Sequence, residues 1–553
     1  MRNYTVLRRY LWLLLITVLT TAMMWTAICV QTREPAEAPV FSVESGFYEE
    51  AFYLEITVPE GCRVYYTLDS SLPDRDAILY TGPVYIDNAT FRENTYSMIT
   101  EVALPNWEFC PPDYLIDKCT VVRAVAIPDS ALEYQSSEII TNSYFVGFPP
   151  NYFDHCGVIS LVTDPDNLFD SHKGIYVTGE KLVKFLAGPE DPDEVSWAYW
   201  SANYNERGRE WEREAVATFW DPEGNLQLIK DIGIRVQGGW SRAYNPRSLN
   251  FYAREEYDGM PCFTFDFFGT GRQLTSLTLS AGGSNGYVTR LDNYLMSQAA
   301  AGMACGTAAH RPYVMFLDGE YWGFYWLMEK YDVNCLQEMY DLGNSEVIFI
   351  KDEQLEAGYE EDFFTYKQMI QFFANNDMSH VPNYARACEL IDINSCIDYY
   401  AAMIYIARSF DWPTYNEALW RTREISDAPY ADGKWRWMFT DCSGFCYEQS
   451  GYGHNTLEWV LQESTVFASL WQNPDFRTAF QARILEIADR HFAAQEMHRF
   501  LTDYERTMLA PLSKNWSRFW GSQNTRSEEF VQSIARMDEF FANRRDVVAS
   551  WFA

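Results

Sequence analysis

The sequence Ser409-Phe-Asp-Trp-Pro-Thr-Tyr-Asn416 places an acid, Asp411, and an amide, Asn416, five positions apart, just after an apolar helical pattern. A second stretch, Trp435-Arg-Trp-Met-Phe-Thr-Asp441, ends an apolar strand pattern on another acid. Metal-assisted phosphoryl transfer uses such a set, because one carboxylate accepts the proton of the attacking hydroxyl while an amide oxygen and a second carboxylate hold magnesium. Ordinary turn residues after a helix give the same pattern, so the interpretation depends on the rest of the chain.

The composition of the chain limits its size class and its partners. Its 553 residues suffice for several domains, and a hydrophobic content of 48% is ample for packed cores. The formal charge of −34 comes from 77 acidic and 43 basic residues, and the sequence contains no run rich in Lys or Arg. A duplex-binding protein needs a basic face to displace counterions. The composition therefore argues against a nucleic acid partner and favours a basic protein substrate or a cation.

Residues 10–30 form an uncharged apolar run that, as a helix, would span roughly 30 Å, the thickness of a bilayer core. The charges that flank this run are Arg2, Arg8 and Arg9 before it and Glu34 and Glu37 after it. The positive-inside bias predicts a cytoplasmic N-terminus over 1–9, a transmembrane anchor, and extracytoplasmic C-terminal domains. We therefore expect a single-pass protein of the cell membrane; the alternative is a cleaved signal peptide and a secreted chain.

A polar linker over residues 31–39 precedes a change to strand patterns. The strand-like runs, which turn residues separate, cover 52–58, 63–69, 83–86 and 120–126. Short strands at this spacing predict a small antiparallel sandwich.

The sequence Val64-Tyr-Tyr-Thr-Leu-Asp-Ser-Ser-Leu-Pro73, followed by Tyr80-Thr-Gly-Pro83, resembles the chitobiase/β-hexosaminidase C-terminal-like module. The resemblance implies an immunoglobulin-like sandwich over residues 40–147 that serves as a spacer or binding accessory. Most of its aromatic residues are expected to pack in the core, and any that stay exposed are able to stack on a glycan.

Strand patterns continue from residue 151 to about residue 279, and helical patterns dominate from residue 290 onward. Residues 311–330 predict a hairpin with Asp318-Gly319 as its turn. A long helix is expected over 394–409, and Ser527 is the expected N-cap of a final helix. The pattern predicts an α+β fold over residues 151–553, with the β-rich part first and the helical part second.

Residues 152–520 resemble the spore coat protein H (CotH) kinase family through motifs that occur in the family order. These motifs are Asn167-Leu-Phe-Asp170, Glu210-Trp-Glu-Arg213, Gly233-Ile-Arg-Val-Gln-Gly-Gly239, Arg290-Leu-Asp-Asn293, Glu329-Lys-Tyr-Asp332, Asp411 with Asn416, Trp437-Met-Phe-Thr-Asp441 and Leu470-Trp-Gln-Asn-Pro-Asp-Phe-Arg477. The resemblance implies an atypical protein-kinase-like domain with a β-rich N-lobe and a helical C-lobe. It also implies transfer of phosphate from ATP to Ser or Thr hydroxyls of secreted proteins, with a divalent metal.

The resemblance assigns roles residue by residue. Asp411 matches the catalytic acid that takes the hydroxyl proton, and Asn416 and Asp441 match the ligands of Mg²⁺ or Mn²⁺. The positions implied in nucleotide binding are Gly238, Gly239, Arg247, Arg290, Glu329 and Lys351. The expected partners are ATP and a protein substrate that is basic and rich in serine.

Two departures from the family pattern keep other functions open. Ser443 stands where many members carry a second Asp, and Arg247 stands in a segment where many members carry consecutive lysines. Arg differs from Lys in geometry, although it pairs well with phosphate. Besides an exported Ser/Thr protein kinase, the sequence is therefore compatible with a pseudokinase scaffold or a carbohydrate-associated surface binding protein.

Overall fold

The computed structural model describes residues 34–105, 109–130, 135–149, 151–189, 191–283, 288–409, 411–413, 415–444 and 451–553. These residues form two compact units. The first comprises residues 34–91 and 118–149, and the second comprises residues 92–117 and 151–553. Segment 92–117 lies inside the range 40–147 that the sequence assigns to the sandwich, yet it belongs to the second unit.

The first unit is a two-layer β structure. Its strands are β1 (Gly46–Tyr48), β2 (Phe52–Leu54), β3 (Cys62–Thr67), β4 (Ile78–Leu79), β5 (Val84–Ile86), β6 (Thr120–Pro128) and β7 (Ile140–Val146). One sheet has the order β1-β7-β6-β3-β4, and β2 and β5 form a separate two-stranded sheet. Apolar side chains of both sheets, such as Leu54 and Val122, share one core. The expected strands are confirmed, with one correction: β1 pairs with β7 in parallel rather than antiparallel.

The second unit begins with a closed barrel. Its strands are β8 (Gly157–Val162), β9 (Arg213–Trp220), β10 (Leu226–Val236), β11 (Leu249–Tyr252), β12 (Ser276–Ser280), β13 (His310–Leu317) and β14 (Glu320–Glu329). Their order around the barrel is β10-β11-β12-β14-β13-β8-β9, and the pair β13 and β8 is parallel. The predicted hairpin is confirmed, because Asp318 and Gly319 both adopt left-handed backbone angles, as a tight hairpin turn requires.

Segment 92–117 packs against this barrel. Val102 is 1% exposed and belongs to the barrel core. The Glu320 carboxylate accepts the amide protons of Thr95 at 2.5 Å and of Ser97 at 2.7 Å. These buried bonds join residues more than two hundred positions apart, so they fix the segment to the turn at the start of β14.

A second sheet and most of the helices follow the barrel. The sheet contains β15 (Val347–Lys351), β16 (Gln354–Ala357), β17 (Ala418–Thr422) and β18 (Arg436–Met438) in the order β16-β15-β17-β18. The helices are α1 (Asp166–Phe169), α2 (Gly179–Leu186), α3 (Glu255–Asp258), α4 (Asp292–Ala299), α5 (Val333–Tyr340), α6 (Glu360–Asn375), α7 (Val381–Leu390), α8 (Ile393–Tyr405), α9 (Thr456–Glu463), α10 (Thr465–Leu470), α11 (Pro474–Arg490), α12 (Ala494–Trp520) and α13 (Arg526–Ser550). The β-rich first part and the helical second part agree with the sequence prediction.

The central helix α8 is buried along most of its length, and every residue from Ser395 to Tyr405 is buried. It ends four residues before the predicted limit of 409. The reason is local: Ala407 adopts a left-handed backbone with φ of 58°, which stops the helix and starts the loop toward Asp411. The predicted cap of the last helix is also corrected, because α13 starts at Arg526 and the Ser527 hydroxyl donates to Ser513 instead.

The prediction of a membrane anchor needs correction. None of the helices in the described ranges combines the length and the apolar composition that crossing a bilayer requires. The two longest, α12 with 27 residues and α13 with 25, carry charged side chains along their length. Residues 10–30, where the anchor is predicted, lie outside the described residues. The predicted single-pass anchor and the cell-membrane localisation that depends on it are therefore not supported. The fold class is corrected to a mixed α+β fold with a β-rich N-terminal region.

Candidate active site

Asp411 lies in the loop that follows α8, and neighbouring side chains engage both of its carboxylate oxygens. The Arg408 guanidinium lies 2.7 Å from Oδ1, and the Asn416 amide donates to Oδ2 at 2.9 Å. The Arg408 side chain is 2% exposed, whereas that of Asp411 is 28% exposed. The carboxylate is therefore fixed in orientation and still reachable from solvent.

The charge environment of Asp411 tunes its basicity. Burial raises the pKa of its carboxyl, the Arg408 charge opposes that rise, and the negative charge of Asp441 adds to it. A carboxylate with a raised pKa is a better proton acceptor, provided that it is still ionised at the working pH. The influence of Asp441 also indicates that the two predicted acids lie near each other.

Asn416 is held by strand pairing between distant parts of the chain. Lys351 at the end of β15 pairs with Ala418 of β17, so the turn after β15 lies beside the loop that runs from α8 to Asn416, the predicted catalytic loop. There the Asp352 carboxylate accepts the Asn416 amide proton at 2.6 Å. Asn416 itself adopts a left-handed backbone with φ of 60°, a conformation that Asn tolerates better than most residues.

Asp441 follows β18 and is held from two directions. Its Oδ1 accepts the Ser443 amide at 3.0 Å and also the Ser443 hydroxyl. Asn293 accepts the amide proton of Cys442 at 2.7 Å, and Asp292 accepts that of Gly444 at 2.8 Å. The Asp-Asn pair at the start of α4 therefore positions the segment that carries the predicted metal carboxylate.

A small cavity separates this segment from the barrel. Its walls are Ser280, Gly282, Arg290, Asp292, Asn293, His310, Trp326 and Ser443. Two buried nitrogen atoms here, Nε of Arg290 and Nε2 of His310, have no hydrogen-bond partner within the described ranges. Burial lowers the pKa of His310 to about 4, so this imidazole is neutral near physiological pH.

Strand register brings four of the residues that are predicted to bind the nucleotide to one end of the barrel. Val236, Leu249, Leu279 and Leu327 are successive partners across β10, β11, β12 and β14. Gly238 and Gly239 follow the end of β10 just beyond this row, and Arg247 lies two residues before the start of β11. Arg290 lies at the same end, because its guanidinium donates to the Phe324 carbonyl and its own carbonyl accepts the Trp326 indole proton at 2.7 Å.

The glycine loop is anchored on one side and open on the other. The Gly238 carbonyl accepts from Arg207 at 3.0 Å and from Arg242 at 2.9 Å. Gly239 is exposed, and a Cβ atom built on it would meet no atom within 4 Å. The backbone at Gly239 is therefore accessible to a ligand.

Arg247 is fully buried between two aromatic rings. Its guanidinium lies 4.1 Å from the Tyr204 ring centroid and 5.0 Å from that of Tyr176, and Nη1 donates to Asn245 at 2.7 Å. Burial lowers the pKa of this arginine. Nε and Nη2 have no partner among the residues that the structure describes.

The other two residues that are predicted to bind the nucleotide, Glu329 and Lys351, do not lie with these four. Glu329 is fully buried, and both of its oxygens accept from Arg272, at 2.7 and 2.8 Å, while Oε2 also accepts the Ala309 amide proton. Lys351 is half-buried beside Asp352 and therefore lies near the catalytic loop rather than near the glycine loop.

Several side chains that shape the site were not predicted from the sequence. Arg408 lies in the loop after α8, three residues before Asp411, and this spacing has no distinctive signature. Asp352 reaches Asn416 only through pairing of distant strands.

The oxygen donors near Asp411 suit magnesium better than a softer metal. Within the described residues, no group of three or more His, Cys, Asp or Glu side chains forms a metal cluster. Mg²⁺ needs only one or two carboxylates, since water and substrate phosphates complete its octahedron. Oδ1 of Asn416 and Oδ2 of Asp441 accept no hydrogen bond from the described residues, so both are free to act as ligands.

Comparison with known proteins agrees with this geometry. The family model described as CotH kinase protein matches residues 234–548, more than half of the chain. The family model described as Fn3 associated matches residues 54–144, so the first unit is of that kind, and the more specific chitobiase-like assignment is not confirmed. No curated protein matches the chain. The matched range includes the glycine loop, the Arg290 motif, Asp411, Asn416 and Asp441, and the chain therefore belongs to the CotH kinase protein family.

Proposed function

We propose that this protein is an ATP-dependent kinase that transfers the γ-phosphoryl group to serine or threonine hydroxyls of a protein, with Mg²⁺ or Mn²⁺. The observation that carries this proposal is the setting of Asp411. Arg408 and Asn416 each engage one of its oxygens, and burial together with the nearby Asp441 charge raises its pKa. An oriented acid of this kind, next to open amide and carboxylate oxygens, fits phosphoryl transfer.

The chemistry assigns a role to each of these side chains. The substrate hydroxyl oxygen forms a bond to the γ-phosphorus, the bond from that phosphorus to the bridging oxygen breaks, and ADP leaves. The hydroxyl proton passes to Asp411, which the buried Arg408 cation keeps ionised and ready to accept it. Asn416 and Asp441 would hold the divalent ion, which supplies positive charge to the phosphate oxygens when bound.

The barrel end supports a position for the nucleotide. The exposed backbone at Gly239 suits close approach of phosphate, and Arg247 and Arg290 supply positive charge at the same end of the barrel. Lys351 lies nearer to Asn416, where it would contact the transferred phosphate or the substrate. Glu329 is not part of this contact set, because Arg272 and a backbone amide engage its oxygens.

The charge of the chain supports a basic, serine-containing substrate. A formal charge of −34 attracts cationic segments and raises their rate of encounter.

A pseudokinase is a second candidate, and one observation favours it. Ser443 occupies the position of the second carboxylate and donates its hydroxyl to Asp441, so one charged metal ligand is replaced by a neutral one. Weaker metal binding would allow nucleotide binding without turnover.

The test uses the purified chain with labelled ATP, Mg²⁺ or Mn²⁺, and a basic, serine-rich protein. The variants are Asp411→Asn and Asp441→Asn, and the matched control is Asp427→Asn, an exposed acid between β17 and β18. Loss of the general base in Asp411→Asn lowers the rate by about 10²–10⁴-fold. Asp441→Asn removes the charged metal ligand, so transfer is expected to fall strongly in both variants and to persist in the control. Nucleotide binding without transfer in the unaltered protein would favour the pseudokinase, and absence of both would refute the kinase proposal.

A further inference from the structure

The first unit exposes two tyrosines side by side on its smaller sheet. Tyr53 of β2 and Tyr85 of β5 are direct cross-strand partners, with ring centroids 5.1 Å apart. Their exposed fractions are 66% and 54%. The alternating residues Leu54, Val84 and Ile86 enter the core, so the two rings lie on the outer face of this sheet.

An open groove continues from this pair of rings. The next residues along the strands, Glu55 and Pro83, line it together with Val40, Phe41, Ser42, Ile56, Thr57 and Tyr80. Glu55 is exposed, and its carboxylate makes no hydrogen bond or ion pair within the described ranges. The Ser42 and Tyr80 hydroxyls accept backbone amides at 2.9 and 3.0 Å, so they are fixed in position on the groove wall.

We propose that this face, formed by Tyr53, Tyr85, Glu55 and the adjoining groove, binds a neutral glycan chain built of pyranose rings. Tyrosine presents a large, rigid and partly apolar surface together with a hydroxyl, so it loses little entropy when it orders on a ligand. The C–H faces of pyranose rings match such a surface. Two adjacent aromatic rings are able to contact consecutive sugars of an extended chain.

The polar groups beside the rings complete the match. A sugar carries several hydroxyl donors, and an ionised carboxylate accepts hydrogen bonds from them more strongly than a neutral acceptor does. Glu55, which has no partner of its own among the described residues, supplies such an acceptor at the mouth of the groove.

A protein partner fits this surface less well. Stable protein interfaces bury at least about 1,000 Å² in total, with an apolar centre. Here the exposed apolar side chains are the two tyrosine rings and Val40, which is 63% exposed, and they lie beside a carboxylate and hydroxyls. A cationic peptide on the rings and Glu55 is the main competitor, and salt separates the two because cation binding weakens as salt is raised.

The experiment measures binding of the full chain to chitin and cellulose by co-sedimentation, and to soluble hexasaccharides of each by calorimetry. The variants are Tyr53→Ala, Tyr85→Ala and Glu55→Gln. The matched control is Phe91→Ala, an aromatic residue of the same unit that is 78% exposed and lies outside the two-stranded sheet. Because all four side chains are exposed, far-ultraviolet circular dichroism is expected to stay unchanged.

Each tyrosine variant is expected to weaken binding about threefold to tenfold, and a double variant with both Tyr53→Ala and Tyr85→Ala to weaken it about tenfold to a hundredfold. Glu55→Gln keeps an acceptor and should reduce binding only modestly, Phe91→Ala should have no effect, and about 0.5 M salt should not displace the glycan. The proposal fails if the unaltered chain retains neither polysaccharide, if the tyrosine variants bind as well as the unaltered chain, or if only basic peptides bind and salt removes them. Asp411→Asn should bind glycan normally, since this site is independent of phosphoryl transfer.

Discussion

Replacement of His310 by Asn should make the second unit more resistant to mild acid. His310 lies at the start of β13, 7% exposed, with Nδ1 donating to the Ala308 carbonyl at 2.8 Å. Burial lowers its pKa to about 4 from an ordinary value of 6.5. An Asn side chain is able to keep the bond to Ala308, but it does not titrate in this range.

The sign and the size follow from proton linkage. Because the folded pKa lies below the unfolded one, the unfolded state binds the proton more readily, and stability is lost as pH falls from 6.5 toward 4. From about pH 7.5 to about pH 5, His310 alone should lower the free energy of unfolding by about 2 kcal/mol. Below about pH 4 no further loss is expected from this group.

The assay is urea unfolding at several pH values, followed by the tryptophan fluorescence of the second unit. Between about pH 7.5 and about pH 5, the free energy of unfolding of the unaltered chain should fall by about 2 kcal/mol more than that of His310→Asn. His172→Asn, in which the replaced side chain is 73% exposed, serves as the control for removal of an imidazole that is not buried. A variant that loses stability with acid as steeply as the unaltered chain would show that His310 is not held neutral by burial.

Two further changes test the neighbourhood of Asp411, and a third tests the loop that carries Gly238 and Gly239. Asn293→Ala leaves the Cys442 amide without its acceptor, so the Mn²⁺ concentration needed for half-maximal activity should rise about fivefold to a hundredfold, as a metal titration would measure. Arg408→Met removes a charge that lowers the pKa of Asp411, so the acid limb of the pH–rate profile should move to higher pH, and Arg408→Lys should restore part of its position. Gly238→Ala places a Cβ against the Ser241 hydroxyl at a backbone φ of 118°, so urea unfolding should show a loss of about 1–2 kcal/mol in the free energy of unfolding; an unchanged midpoint would argue against the observed loop geometry.

Local chemistry made part of the fold predictable. The hairpin of β13 and β14 follows from Asp318-Gly319, a pair that adopts left-handed backbone angles readily between apolar runs. The helical stretch before Asp411 was also expected, although its end at Tyr405 was not, because the left-handed turn at Ala407 has no sequence signal.

Contacts between distant residues escaped prediction. The barrel closes through the parallel pair of β8 and β13, which lie about 150 residues apart, and no local pattern specifies that pairing. In the site, ordered motifs indicated Asp411, Asn416 and Asp441. The residues that orient them, Arg408 and Asp352, depend on a helix end and on strand register that only the folded chain defines.

The position of segment 92–117 has a consequence for synthesis of the chain on the ribosome. The sandwich cannot form until residues 118–149 have left the ribosome. By then segment 92–117 has also left the ribosome, but the barrel against which it packs has not yet been made. Glu320 and the barrel residues that bury Val102 are synthesised later, so this segment stays unpacked until most of the barrel has been made. A break at residue 150 would therefore not yield a self-sufficient module, since it would leave an apolar loop unburied. We therefore expect that the first unit cannot be transferred to another protein by itself, and that the two units occur together.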